Sequence, residues 1–292
     1  MKIIITGGTG FTGKRVLKAI SGKSDLQIRV LTRSEEHFRL IEQYGYEPYL
    51  ADVKDKNQLK EAMEGFEGLI NIVSLGFGDA ENIVKSAEEA GIKRALFVST
   101  TAVKTTLKAN SKKVRLEAEE TIKKSSLNWT IIRPTMIYGG LDDRNIIRFI
   151  KFVRKMPFLI IPGSGEFLQQ PVHVEDLAKG IVDAFFSENT SYKTYNLSGA
   201  FPVSFNQMIQ IVSDGLKVKR KVFHFPAEPI IAIFSFLEKI LNKPFLKSEQ
   251  IKRLMEDKSF FHWDAEKDFG FEPRNFIDGV NEEIRLLKKL EQ

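Results

Sequence analysis

The sequence predicts an α/β protein in which a Rossmann-like, doubly wound parallel sheet is followed by a smaller α/β carboxyl-terminal substrate domain. The apolar run at residues 3–5, which has no polar alternation, is typical of a parallel strand that is buried on both faces. Six predicted strands alternate with helical patterns up to residue 132, which is the order of a doubly wound sheet. The predicted strands are 3–5, 27–31, 47–50, 68–73, 94–98 and 129–132, and the helices are 14–20, 34–44, 55–64, 80–90 and 110–124.

A glycine-rich turn, residues 7–13, separates the first strand from the first helix. Glycine allows the backbone to turn tightly and to approach a phosphate, and the unpaired N–H groups at the start of the helix then hold the anion. A strand, a glycine turn and a helix in this order form the phosphate-holding half of a dinucleotide site. We assign pyrophosphate contacts to Gly7, Thr9, Gly10, Phe11, Thr12 and Gly13.

The end of the second strand bears on the choice of cofactor, because Arg33 and Ser34 follow it directly. In a dinucleotide fold this position meets the adenosine ribose, where an acidic residue binds the 2′-hydroxyl of NAD. Arg33 instead offers a planar cation and Ser34 a second donor, which favours NADP over NAD. The alternative is that Arg33 is a surface residue at the start of a helix.

The third and fourth strands end in further candidates for cofactor contacts. Asp52, followed by Val53, is placed either to accept a hydrogen bond from the adenine amino group or to cap the helix that follows. Ser74 and Leu75 begin a turn of small residues after the fourth strand, and such a turn suits the close approach of a cofactor. We therefore expect both strand ends to line the cofactor site.

Hydroxyl groups follow the fifth strand at Ser99, Thr100 and Thr101. In open α/β sheets the ligand lies in the crevice outside the carboxyl ends of the strands, so we expect these hydroxyls to face it. The sixth strand ends beside the remaining residues that we assign to the cofactor, which are Pro134, Thr135 and Met136.

Beyond residue 140 the regular alternation ends, and we expect a cofactor domain at 1–160 and a substrate domain at 161–292, with segments that return to the sheet. An apolar stripe at helical spacing occupies residues 230–241 and is interpreted as core or as a partner contact, with peripheral membrane contact as the alternative. The other late elements are helices at 144–155, 177–186, 205–215 and 275–290 and strands at 193–197 and 220–225.

The composition excludes several classes of function. The chain has no cysteine, which excludes disulfides, zinc–thiolate sites and cysteine nucleophiles, and we expect no metal site. The core sequence starts at residue 2, so we expect no signal peptide and a cytoplasmic location. The net charge of +6 suits a phosphate-bearing substrate, an anionic membrane or nucleic acid. Because no nucleic-acid motif accompanies it, we favour a lysine-rich solvated surface and expect no nucleic-acid partner.

Together these motifs resemble the extended short-chain dehydrogenase/reductase superfamily, the NAD(P)-dependent epimerase/dehydratase-like proteins. The resemblance covers nearly the whole chain and is carried by residues 6–13, 52–53, 97–100, 133–139 and 171–178. It implies an oxidoreductase or epimerase-like activity on a small molecule such as a nucleotide-linked sugar, in a monomer or homodimer. We assign substrate contacts to Thr101, Tyr138, Gln170 and His173.

The superfamily's tyrosine–lysine pair is absent from the expected helix, where the two positions fall on Ser111 and Arg115. A serine hydroxyl is too weakly acidic to replace a phenol, and Arg115 stays protonated, although it can bind ribose hydroxyls. The resemblance therefore implies an atypical member, either an enzyme or a non-catalytic NADP(H)-binding sensor or accessory protein. Our catalytic candidates are Ser99, Thr100 and Arg115; Lys113, Tyr138 and His173 are further candidates, each with a structural alternative.

Overall fold

The computed structural model describes residues 1–107, 110–240, 251–253 and 255–291, and the chain divides into two compact units. The first unit comprises Met1–Thr135, Val174–Ser198 and Phe261–Pro273, and the second comprises Met136–His173, Gly199–Phe260 and Arg274–Gln292. Each unit is assembled from segments that are distant in the sequence.

The β-strands alternate with helices through the first half of the chain and are short in the second half. In chain order they are β1 (Lys2–Thr6), β2 (Gln27–Thr32), β3 (Glu47–Leu50), β4 (Gly68–Asn71), β5 (Arg94–Val98), β6 (Asn128–Pro134), β7 (Ile137–Tyr138), β8 (Phe158–Pro162), β9 (Leu168–Gln169), β10 (Val172–His173), β11 (Lys193–Leu197), β12 (Val203–Ser204) and β13 (Lys221–Phe225).

The α-helices, as described, are α1 (Phe11–Ile20), α2 (Phe38–Glu42), α3 (Lys56–Met63), α4 (Ala80–Glu89), α5 (Asn110–Lys123), α6 (Ile146–Lys155), α7 (Val174–Phe186), α8 (Phe205–Leu216), α9 (Ala227–Ile240), α10 (Trp263–Phe269) and α11 (Phe276–Leu290). Short 3-10 helices occupy Glu35–His37, Leu75–Phe77, Thr101–Lys104 and Glu188–Thr190.

A seven-stranded parallel sheet in the order β11-β6-β5-β4-β1-β2-β3 forms the centre of the first unit. The predicted fold class is therefore confirmed. Helices cover both faces, which explains why Ile3, Ile4 and Ile5 are all fully buried although they point alternately to opposite sides. The strand order reverses between β1 and β4, so the glycine turn after β1 lies at the topological switch point where such sheets bind ligands.

Two segments beyond residue 160 belong to the first unit, Val174–Ser198 and Phe261–Pro273, and the first of them contains α7 and β11. Strand β11 pairs with β6 at the edge of the sheet, and helix α7 packs against α1. Gly180 allows close packing of α7, because a Cβ there would lie 2.8 Å from the ring of Phe271. The predicted boundary between the domains is residue 160, with segments that return to the sheet. In the structure, the continuous first part of the first unit ends at Thr135, and the two later segments also belong to this unit. The partner of a short strand depends on distant apolar faces, which local periodicity does not reveal.

The second unit packs α6, α8 and α11 around an apolar core and carries three two-stranded ribbons. The apolar stripe predicted at 230–241 forms helix α9 up to Ile240, and residue 241 lies outside the described residues. In the part of the chain that the structure describes, no helix is both long enough and apolar enough to cross a membrane.

Candidate functional site

The glycine turn is shaped by two close backbone approaches. Gly7 has a φ of +71°, and a Cβ on it would lie 2.9 Å from the backbone nitrogen of Val73. A Cβ on Gly13 would lie only 2.1 Å from the carbonyl oxygen of Gly7. Glycine is therefore required at both positions, because any side chain would push the turn away from α1 or from the loop after β4.

Helix α1 begins at this turn with its first amide groups available to an anion. Its N-cap is Gly10, which has no side chain to cap the first turn, and no acidic residue occupies that turn. The N-terminus of a helix in this state attracts phosphate through its N–H groups and its dipole. The Arg15 side chain lies along α1, where its guanidinium stacks over the Phe11 ring at 4.7 Å and donates to the Phe11 carbonyl.

A buried hydrogen bond, which the sequence did not predict, joins the ends of β1 and β4. The Thr6 hydroxyl donates to Asn71 Oδ1 at 2.6 Å, and Asn71 Nδ2 donates to the Val73 carbonyl at 3.1 Å. This pair holds the loop after β4 against the glycine turn. The only signal in the sequence was a polar residue within an apolar strand.

Arg33 is exposed at the end of β2 and forms no hydrogen bond or ion pair with the residues that the structure describes. The neighbouring Ser34 caps the short helix Glu35–His37, because its hydroxyl oxygen accepts from the Glu36 amide at 3.3 Å. The Arg33 guanidinium thus lies at a strand end and is not paired with a carboxylate of the described residues, which suits a 2′-phosphate. The predicted helix at 34–44 is divided here into a 3-10 turn and α2.

Asp52 and Asp55 have different roles at the end of β3. Asp55 caps α3 by accepting from the amides of Asn57 and Gln58 at 3.0 and 3.1 Å. Asp52 accepts from the Lys54 amide through Oδ1 at 3.1 Å. The alternative that Asp52 caps this helix is therefore wrong, and an adenine contact by Asp52 stays a prediction. Val53, the other residue assigned here, packs against the core of the first unit.

Arg115 lies against the turn after β4. Ser74 accepts from the Gly76 amide at 3.3 Å and starts the 3-10 turn in which Leu75 is buried. A Cβ on Gly76 would lie 2.9 Å from the guanidinium carbon of Arg115, so the glycine provides the room that the cation occupies. Arg115 also donates to the Ser111 carbonyl one helical turn earlier. Arg115 thus lies beside the 3-10 turn that Ser74 starts, and a shared role of these residues in cofactor binding stays a prediction.

Ser99 belongs to a buried polar network rather than standing open at the end of β5. Its hydroxyl donates to Glu119 Oε1 at 2.6 Å, and Glu119 is completely buried. Arg133 Nε donates to the same oxygen at 2.9 Å, and Arg133 Nη2 donates to Glu119 Oε2. The network links β5, α5 and β6. Because the Ser99 hydroxyl already donates its hydrogen bond to Glu119, its oxygen can only accept a hydrogen bond from a substrate oxygen that carries hydrogen.

The residues after Ser99 form the 3-10 helix Thr101–Lys104. Thr101 is buried and donates to the Pro134 carbonyl at 3.2 Å, whereas Thr100 is half-buried and its hydroxyl oxygen accepts from the Ala102 amide. Partial burial, together with the positive charge of Arg133, lowers the pKa of Lys104. Lys104, the last residue of this 3-10 helix, was not among the predicted residues.

Thr135 and Met136 lie on either side of the division between the units, and Thr135 is buried, with its amide donating to the Leu197 carbonyl at 3.0 Å. Lys113, a further catalytic candidate, is largely exposed and lies 3.8 Å from Glu117 in an ion pair. Lys113 therefore has the position of a solvated side chain.

Tyr138, His173 and Gln170 are buried within the second unit. The Tyr138 and His173 rings pack edge to face at 5.3 Å, and a Cβ on Gly279 would lie 2.0 Å from the Tyr138 hydroxyl oxygen. Gln170 donates to the Gly199 carbonyl at 2.7 Å and accepts from the Phe260 amide at 2.9 Å. These contacts favour structural roles, and substrate contact by the three residues stays a prediction.

Comparison with known proteins agrees with the site geometry. Residues 7–188 match the profile of a family described as NAD(P)H-binding. The chain is 23% identical over 295 residues to N-acetyl-alpha-D-glucosaminyl-diphospho-ditrans,octacis-undecaprenol 4-epimerase of Escherichia coli O157:H7, with 88% of this chain and 86% of that protein covered. It is 28% identical over 272 residues to the mitochondrial NADH dehydrogenase (ubiquinone) 1 alpha subcomplex subunit 9 of Arabidopsis thaliana, with 86% and 67% covered.

Among solved structures, the UDP-glucose 4-epimerase of Thermotoga maritima, determined with UDP-glucose, superposes with a TM-score of 0.74. The two chains are 14% identical and each is covered completely, so this likeness concerns the fold. The profile match spans more than half of the chain and includes the glycine turn, β5 and α5. The chain belongs to the NAD(P)H-binding family.

Proposed function

We propose that the protein is an atypical NADP(H)-dependent oxidoreductase or epimerase-like enzyme that acts on a nucleotide-linked sugar or a similar diphosphate-bearing small molecule. The observation that carries the proposal is the pair of glycine approaches at Gly7 and Gly13, which leaves the uncapped start of α1 facing outward at the switch point of the sheet. This geometry suits a pyrophosphate.

Each end of the cofactor meets a cation of this chain. Arg33 and the Ser34 hydroxyl would bind the 2′-phosphate that distinguishes NADP from NAD, and the exposed position of Arg33 supports this role. Arg115 would bind the nicotinamide ribose in place of the usual lysine. The nicotinamide ring, when bound, supplies or accepts the hydride.

The chain's own contribution to chemistry is proposed for the turn after β5. Ser99 is held by Glu119, so Thr100 is the hydroxyl best able to donate to a substrate oxygen. Lys104, in the same turn, has a lowered pKa and would transfer the proton that tyrosine transfers in other members. Ser111, at the tyrosine position, has no titratable group for this step.

The relatives support the substrate class. The Escherichia coli relative is named for a sugar joined through a diphosphate to undecaprenol, and the Thermotoga maritima structure contains UDP-glucose. Both molecules carry a sugar on a diphosphate. The net charge of +6 of this chain would favour such an anionic substrate.

The second candidate is a non-catalytic NADP(H)-binding protein. The observation that favours it is the replacement of the acid–base pair by Ser111 and Arg115. The Arabidopsis relative is named as a subunit of NADH dehydrogenase, which is consistent with a supporting role for a protein of this fold.

An activity screen separates the two candidates. The purified protein is first titrated with NADPH, and the nicotinamide absorbance is then followed with a panel of nucleotide sugars, ketones and aldehydes, while epimerised products are measured by chromatography. We expect one sugar-diphosphate to react and the K104M variant to lose turnover while it keeps its NADPH affinity. Tight NADPH binding without turnover of any compound would favour the second candidate. The control for K104M is K113M, because Lys113 is exposed. Lys112 is not used for the control, since its side chain donates to the Thr105 carbonyl and so links α5 to that residue.

A further inference from the structure

The second unit contains an apolar cavity that the proposed chemistry does not use. Its volume is about 330 Å³, which lies within the range of small-molecule sites. Helices α6, α8 and α9, strand β8 and Ile251 supply the lining. Six of the lining residues are Phe149, Phe152, Ile160, Ile209, Ile230 and Phe234.

The chemistry of this lining limits the occupant. The lining side chains are aliphatic or aromatic, so they offer a ligand neither charge nor hydrogen-bonding groups. A sugar or a nucleotide would lose its hydrogen bonds to water there without replacement, at a cost of several kcal/mol in free energy. A hydrocarbon chain has no such groups to satisfy and gains free energy for each methylene that it buries.

The ribbon formed by β8 and β13 continues the apolar surface outside the cavity. Phe158 and Ile160 on one strand and Phe223 and Phe225 on the other are each about half exposed, whereas Leu159 is buried. Ile160 also lines the cavity, so the ribbon and the cavity are continuous. Exposed aromatic side chains in this number are unusual on a monomer and mark a binding surface.

Helix α9 adds two strongly exposed side chains, Ile233 and Phe236, next to positions that line the cavity. We call these two side chains, the ribbon residues Phe158, Ile160, Phe223 and Phe225, and the cavity the apolar face. It lies wholly within the second unit.

A stripe of positive charge borders the apolar face on α6. Arg148, Lys151 and Lys155 are spaced at three and four residues, so they lie on one side of the helix, next to the cavity residue Phe152. All three are exposed, and within the described ranges none of them forms a hydrogen bond or an ion pair. The neighbouring Arg154 is paired with Glu291 at 2.7 Å, and the charge of Lys151 also acts on that carboxylate without forming an ion pair.

We propose that the apolar face docks on an anionic phospholipid bilayer, with one acyl chain of a lipid in the cavity and the lipid phosphates on Arg148, Lys151 and Lys155. An apolar surface bordered by unpaired cations complements the two layers of a membrane interface, where hydrocarbon lies beneath anionic headgroups. This binding goes beyond the proposed function, since it involves neither the glycine turn nor the turn after β5.

Vesicle sedimentation tests the role of the charges. The full chain is mixed with vesicles of phosphatidylcholine alone or of phosphatidylcholine with phosphatidylglycerol, and the bound fraction is measured. We expect binding to the anionic vesicles, and a loss of about fivefold in affinity for each cation removed in K151Q and K155Q. The matched control is K60Q/K93Q, which removes two exposed charges from the first unit and should bind as wild type does. Equal binding to both kinds of vesicle would overturn the role of the stripe.

A tryptophan in the cavity tests the position of the acyl chain. In F234W, the added tryptophan fluorescence should be quenched by phospholipid that carries bromine on its acyl chain, beyond the signal of the native Trp129 and Trp263. Quenching no greater than in wild type would contradict an acyl chain in the cavity. Free fatty acid in place of vesicles provides a second arm: quenching by brominated fatty acid but not by brominated vesicles would overturn bilayer docking.

The exposed aromatic residues provide variants that should fold normally. F223S/F236S should lose most of its vesicle binding, whereas F201S, which removes another exposed phenylalanine, should keep it. The NADPH affinity of each variant reports on the first unit, so failure of the membrane proposal and failure of the proposed function are distinguished. A concentration-dependent dimer that F223S/F236S dissociates, together with no vesicle binding, would show that a second copy covers this face and would overturn the proposal.

Discussion

Glu283 is a buried carboxyl group whose titration should set the pH dependence of stability. Its side chain is fully buried, and neither oxygen has a hydrogen-bond partner of standard geometry among the described residues. Burial, with a smaller contribution from the charge of Asp143, raises the pKa of Glu283 from 4.5 to about 8, although a contact with the Gly139 amide opposes the change. The folded protein therefore keeps this carboxyl protonated near neutral pH.

The sign of the effect follows from proton binding. Below pH 4.5 the carboxyl is protonated in both states, so its contribution to stability is complete. Between pH 4.5 and about 8 only the folded state holds the proton, so stability falls as pH rises, by about 1.4 kcal/mol per pH unit. Over the whole window this amounts to about 4 to 5 kcal/mol. The loss is complete once the pH exceeds the folded-state pKa.

The substitution Glu283→Gln keeps the shape of the side chain and removes the titration. We expect urea unfolding, followed by tryptophan fluorescence, to show E283Q gaining on wild type as the pH rises through this window. The control E272Q makes the same chemical change at an exposed position and should keep the wild-type slope. Parallel pH profiles for E283Q and wild type would refute the reasoning, because they would mean that Glu283 is ionised in the folded protein.

Three further variants test the first unit. G13A places a Cβ 2.1 Å from a backbone oxygen, so it should cost about 1 to 3 kcal/mol of stability in urea unfolding and abolish NADPH binding in a titration. The control G22A, whose Cβ would meet nothing within 4 Å, should change neither quantity. E119Q leaves the Arg133 charge buried without its partner and should cost about 3 to 5 kcal/mol, whereas E120Q on the exposed side of α5 should unfold as wild type does. D55A removes the cap of α3 and should cost about 1 kcal/mol without changing the Kd for NADPH, and a changed Kd would contradict its purely structural role.

The sequence was sufficient for features that depend on local pattern. The glycine turn, the parallel strands and the doubly wound order follow from short-range rules on glycine, on apolar runs and on alternation, and the structure has them where they were predicted. The pairing of β11 with β6 depends instead on which distant apolar faces meet, and no local period encodes that choice. A resemblance to a family can suggest such a return but cannot place it.

The interior of the site was harder to predict for a related reason. Glu119 reads as one more surface charge in a charged helix, but it is buried because Ser99 and Arg133 come to it from two other elements. The Ser99 hydroxyl donates its hydrogen bond to Glu119, so Thr100 is left as the hydroxyl that can donate to a ligand. No spacing rule shows this difference between the two residues. Tyr138 likewise depends on Gly279, which is far along the chain and provides the space for its hydroxyl.

The central claim is that the glycine turn and Arg33 together bind NADP(H). The most direct test is the ratio of the Kd values for NADH and NADPH, measured by titration for wild type and for R33A. We expect wild type to favour NADPH by about tenfold to a hundredfold, as one charge-assisted phosphate contact provides, and R33A to lose most of that preference while it keeps its affinity for NADH. Equal affinity of the wild-type protein for NADH and NADPH would contradict the account.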